Sequence, residues 1–213
     1  MKKVLLGILV LLSTSFLGAC GSDSNTEKDG NASPNTEEKS KNDTADSSLL
    51  KNNDKFKYLA INNGADNAKI VDQKDYKSSW TDSSWSGVNI SIDEVTIIKL
   101  ENYQDYSNRQ YPGFIIVHYI IDNAERDISI YPEQATMSTN TGEQSEGDIS
   151  MTGFAGDLMS GTKVNGYAAY SLNNLDDVNA INQIRLKFNA NYSTDNYDDE
   201  NANHEYDVTL DLQ

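Results

Sequence analysis

One cysteine, Cys20, is all that 213 residues contain, so no internal disulfide can brace the fold. Basic residues are also scarce: 17 Lys and Arg face 33 Asp and Glu, which leaves a formal charge of -16. Such a surface repels phosphates and excludes nucleic acid as a partner. Long hydrophobic runs are missing too. Hydrophobic residues make up 37% of the chain, and its main apolar stretch, Val4 to Leu12, is too short to span a bilayer, which takes roughly 20 apolar residues. There is no Gly-x-Ser-x-Gly elbow, no His-Glu-x-x-His pair and no Walker loop. The expectation is therefore a protein that is not an enzyme and uses no cofactor.

What is present begins with an address. Met1-Lys2-Lys3 supplies a positive start, Val4 to Leu12 an apolar core broken only by Gly7, and Leu17-Gly18-Ala19-Cys20 closes the segment before Gly21-Ser22-Asp23 turns polar. This pattern reads as a signal peptide over residues 1–19. Leu17 to Cys20 resemble the bacterial lipobox, which implies diacylation of Cys20 and a new amino terminus there. The acyl chains, at about 0.8 kcal/mol per buried methylene, would then hold the chain on the extracytoplasmic face of the plasma membrane.

Residues 20–48 read as the lipidated cysteine and a polar linker. Positions 21–48 hold two alanines and no other hydrophobic residue, too little apolar surface to offset the entropy of ordering them. Residues 49–79 read as a partly ordered lead-in, with Phe56, Tyr58 and Leu59 to Ile61 as its apolar part and Asn62-Asn63-Gly64 as a turn. Charge separates the regions: residues 21–79 are net -2, while residues 80–213 carry 22 acids against 6 bases. No polybasic stretch is available to dock on anionic lipid, which leaves the lipid alone to hold the domain at the membrane.

Residues 80–213 read as strands. Val88, Ile90 and Ile92 alternate with polar residues, and the apolar set reappears out of phase at Val95 and Ile97, which marks a bulge near Asp93-Glu94. Phe114 to Ile121 is apolar on both faces, as a central covered strand requires. Ile184 to Ala190 and Tyr206 to Leu212 alternate with period two. The fold class expected is all-β, an immunoglobulin-like antiparallel sandwich of about seven strands.

Four pieces carry a resemblance. Ser129-Ile130-Tyr131-Pro132-Glu133-Gln134, Thr139-Asn140-Thr141-Gly142-Glu143-Gln144, Gly156-Asp157-Leu158 with Gly161 and Lys163-Val164, and Ile184 to Phe188 together resemble a family of uncharacterised Gram-positive surface lipoproteins. That family has an immunoglobulin-like domain of unknown function. The resemblance covers roughly Trp80 to Gln213 and implies fold and location, with no functional residue to carry over.

Candidate sites rest on the residues themselves. The acidic run Asp195, Asp198, Asp199 and Glu200 offers oxygens of the kind calcium uses, yet it misses the EF-hand spacing and reads more simply as a solvated hairpin loop. Trp80 and Trp85 either form a binding patch or plug one end of the sandwich. Tyr103, Tyr106 and Tyr111, with Arg109, share the loop Glu101–Tyr111, the first place to seek a partner site. His118, on the parity of Phe114, Ile116 and Ile120, reads as a histidine held by a hydrogen-bond partner. The function expected is a non-catalytic binding or interaction module at the cell envelope. Its partner would be an unidentified envelope protein or cell-wall component. The alternative is an accessory lipoprotein that binds a solute or a divalent cation.

Overall fold

In the computed structural model, residues 46–148 and 151–213 are described. The segment 1–19 read as a signal peptide, Cys20 and the polar stretch up to residue 45 lie outside the described residues. The ten strands are β1 (Lys69–Asp82), β2 (Val88–Glu101), β3 (Gly113–Asn123), β4 (Ile128–Ile130), β5 (Thr136–Thr139), β6 (Gln144–Asp148), β7 (Gly156–Leu158), β8 (Thr162–Leu172), β9 (Gln183–Asn191) and β10 (Asn203–Asp211). A five-residue helix, α1 (Lys57–Ile61), and four 3-10 turns complete the elements.

Every strand pairing is antiparallel. One layer has the order β1-β2-β3-β8. The other is centred on β9, with β10 on one edge and β4 and β5 end to end along the other. β6 pairs with β5 and, at Gly147, with β8, so it stitches the two layers together along one side. The result is an all-β antiparallel sandwich. It has ten strands where about seven were expected, because β4, β7 and β5 are three or four residues long and leave no countable alternation.

Period-two patterning explains the core. Ile90, Ile92, Val95 and Ile97 of β2 and Ile115, Val117, Tyr119 and Ile121 of β3 face Ile184, Leu186 and Phe188 of β9 and Val208 of β10 in one buried cluster. The register of β2 slips between Ile92 and Glu94, where the apolar phase changes in the sequence. The opposite face of the first layer is covered as well. Leu50, Phe56, Leu59 and Ala60 pack on Ile98, Leu100, Phe114 and Ile116 in a second cluster. Lys55 fastens this cover, donating to Glu94 and, at 3.2 Å, to the Thr96 hydroxyl.

Two expectations are corrected here. The lead-in over residues 49–79 belongs to the folded unit, and the boundary at Trp80 falls inside β1. The physical reason is that β1 is an outer strand with only Tyr76 fully buried, so it has no alternating apolar signature. It carries Lys69, Lys74 and Lys77 and two register shifts, features that discourage pairing with another chain.

The interior also holds a polar chain. Tyr119 donates to the Tyr170 hydroxyl at 3.0 Å, which donates to the Pro132 carbonyl at 2.8 Å. The neighbouring Glu133 is 7% exposed, and its Oε2 has no hydrogen-bond partner. Burial pushes its carboxyl above the usual carboxylate range. A raised folded-state pKa makes its contribution fully stabilising below the unfolded-state value and lost as pH rises through the folded one. Glu133→Gln should therefore melt higher than the parent at pH 7, by roughly 2–4 °C per kcal/mol for a gain of about 1 kcal/mol. The difference should shrink toward about pH 4. Paired thermal melts check this, and a constant or reversed difference would count against it.

Candidate functional site

The connection from β2 to β3 is folded as a small, fixed unit. Asn102 (φ 59°) turns the chain out of β2, and Asn108 (φ 62°) makes the return, left-handed positions that a short amide side chain tolerates. Gln104 and Gln110 then face each other in an antiparallel bridge. Asp105, its side chain 5% exposed, is the hub. Its Oδ1 accepts the backbone N–H groups of Ser107 and Arg109, both at 2.8 Å, and its Oδ2 accepts Arg109 Nε at 2.6 Å. Burial raises its pKa, but these donors outweigh burial and hold the carboxyl below its ordinary value.

Aromatic packing anchors the loop to the sheet. Tyr103 meets Phe114 edge to face at 4.9 Å between centroids, and Tyr111 meets the same ring at 5.7 Å. The Arg109 guanidinium lies 5.8 Å from the centroid of Tyr111. Tyr106 at the loop tip is 78% exposed, and its ring lies close over Gly64, where a Cβ would come within 2.7 Å of its Cζ.

Between this loop, the lead-in and the end of β8 lies an open depression of ≈ 730 Å³. Its polar lining is Asn67, Asn102, Gln104, Gln110 and Asn173, and its aromatic lining Tyr103 and Tyr111, with Leu100 and Pro112 completing it. None of these side chains is charged near neutral pH. Two other depressions differ. One of ≈ 680 Å³ includes Arg126, Asp127 and Asp157, and one of ≈ 400 Å³ includes Glu143, Asp176 and Asp177.

The remaining candidates fall elsewhere. Trp85 is 4% exposed, donates its Nε1 to the Asn201 carbonyl at 2.8 Å, and stacks on Tyr192 and His204. Trp80 is half-buried against the main core. Trp85 is thus a packing residue of the core, and Trp80 is partly covered by it. In the acidic run, Asp199 accepts from Asn201 N and the Tyr192 hydroxyl, while Asp195, Asp198 and Glu200 face solvent. Among the described residues no three His, Cys, Asp or Glu side chains converge as metal ligands. His118 Nδ1 sits 2.6 Å from Asp93 Oδ1, and its ring packs on Tyr167.

Of the sequence candidates, Tyr103 and Tyr111 line the depression, while Arg109 and Tyr106 brace its loop. The amides Asn67, Asn102, Gln104, Gln110 and Asn173 were not singled out. They come from three segments of a chain rich in Asn, and no local spacing marks them as a group.

No protein-family model matches this chain, and no curated protein matches it in sequence. A solved structure of a functionally unknown protein from Listeria monocytogenes is similar over 73% of this chain and 93% of that one, at 10% identity and TM-score 0.49. The yjhA protein from Bacillus subtilis is similar over 64% and 99%, at 17% identity and TM-score 0.42. A candidate lipoprotein from the same organism, ycdA, is similar over 68% and 36%, at 13% identity and TM-score 0.27. Likenesses this weak say nothing about what this chain does. Among the described residues no helix is long and apolar enough to cross a membrane.

Proposed function

We propose that this chain is a non-catalytic recognition module of the cell envelope, held on the extracytoplasmic face of the membrane through Cys20, and that the β2–β3 depression receives its partner. One observation carries the reading: on a protein of charge -16, a depression of ≈ 730 Å³ has an uncharged lining and is walled by a fixed loop. A loop whose shape is set before binding loses little conformational entropy when a ligand arrives. Exposed Tyr, Asn and Gln on a rigid β scaffold suit polar recognition.

Crosslinking the full-length protein in intact cells tests both halves. Cys20→Ala should leave the membrane fraction. Asn102→Ala combined with Tyr111→Ala should lose at least tenfold in captured partner, while Tyr197→Ala, at a fully exposed position outside the site, should capture as much as the parent. Equal capture by the depression variant would mean that the partner binds elsewhere.

A further inference from the structure

Resting on that recognition reading, we infer that the ligand of the β2–β3 depression is a neutral, hydroxyl-bearing oligosaccharide. Five amide side chains converge on the depression, each carrying both a donor NH₂ and an acceptor carbonyl. Sugar hydroxyls are the matching chemistry, because each is also donor and acceptor. Within the described residues the side-chain amides of Asn67, Asn102, Gln110 and Asn173 make no hydrogen bond to the protein, so their capacity faces outward. Gln104 is tied to Asn108 at 3.3 Å and helps hold the loop.

The aromatic component fits the same ligand. Tyr111 is half-buried, its ring in contact with Phe114 and Arg109, and it lines the depression beside the amides. The C–H face of a pyranose is apolar and packs on such a ring, leaving its equatorial hydroxyls for the amides. No side chain that lines the depression carries a charge to pair with a charged ligand, and the neighbouring Arg109 is already paired with Asp105. A volume of ≈ 730 Å³ lies in the range of small-molecule sites, about 300–1,000 Å³, and admits a few sugar rings.

An extended peptide is disfavoured by the topology. Peptides commonly bind by adding a strand to an open sheet edge. The depression lies over the ends of β2 and β3, and both are interior strands already paired on each side, β2 by β1 and β3, β3 by β2 and β8. Neither strand therefore has an edge open to an added strand there.

Isothermal titration of the full chain with three neutral tetrasaccharides tests the assignment: an N-acetylglucosamine tetramer, cellotetraose and maltotetraose. A neutral tetrapeptide and tetraglutamate serve as comparison probes. At least one tetrasaccharide should bind saturably, while neither peptide does. Tyr111→Ala should weaken that binding at least tenfold, and Tyr111→Phe, which keeps the ring, less than threefold. Gln110→Ala and Asn173→Ala, at exposed lining positions, should each weaken it several-fold with the melting temperature unchanged. If none of the three sugars binds, or if binding ignores Tyr111→Ala, the inference is overturned. Preferential binding of either peptide also overturns it. In those cases the crosslinking result decides separately whether the depression is a recognition site for some other ligand.

Discussion

A chain that begins at Trp80 should fail to fold cooperatively, whereas one that begins at Asp46 should keep the full thermal transition. The shorter chain lacks most of β1 and the whole cover of Leu50, Phe56, Leu59 and Ala60. Ile98, Leu100, Phe114 and Ile116 would then face water. Fully burying such a side chain is worth about 1.5–3 kcal/mol, so losing four approaches the ~5–15 kcal/mol that holds a typical domain together. A kinetic hazard adds to the thermodynamic one. Without β1, the 14-residue β2 becomes an open, apolar edge and invites aggregation. Size-exclusion chromatography and thermal melts of the two fragments would show the contrast. A Trp80 fragment that stays monomeric and melts within a few degrees of the Asp46 fragment would refute the assignment of residues 46–79 to the fold.

That expected failure measures how far the sequence was legible. β3, β9 and β10 were readable because their side chains either alternate or are apolar throughout, and the bulge in β2 was readable because the phase of its apolar residues changes at Asp93. β1 was not readable, since an outer strand with lysines on it resembles a linker. The cover at residues 50–61 escaped for a different reason. A three-residue 3-10 turn and a five-residue helix are too short to show a period, so their role depends on tertiary contact with β2 and β3.

The site divides in the same way. Tyr103, Arg109 and Tyr111 sit in one loop and could be grouped by eye. Asn67 and Asn173 lie far apart in the sequence, just before β1 and just after β8, and the antiparallel pairing of β1, β2, β3 and β8 brings them to one depression. The net charge follows this logic too. Acids crowd the loops and outward strand positions, while the lining of one depression remains neutral. Long-range attraction therefore plays little part at that site, and fit and hydrogen bonding set its selectivity.

Gly147→Ala should lower stability by about 3 kcal/mol or more, on the order of 6–12 °C in melting temperature. Gly147 is where β6 crosses from one layer to the other. Its N–H donates to the Ala135 carbonyl at 3.1 Å, and it pairs with Tyr170 of β8. A Cβ there would overlap the Glu133 carbonyl oxygen and lie 2.7 Å from the carbonyl carbon. The obstruction is backbone, which has no rotamer to move. Relief requires β6 to pull away from the turn at Pro132–Gln134, and that opens the seam beside the Tyr119–Tyr170 pair. Gly153→Ala supplies the matched control. Among the described residues no atom outside its own chain neighbours lies within 4 Å of a Cβ there, and its φ is outside the left-handed range, so its stability should stay within about 1 kcal/mol of the parent. Thermal melts of the two single variants under the same conditions decide the matter, and a Gly147→Ala protein as stable as Gly153→Ala would mean that β6 does not hold the layers together.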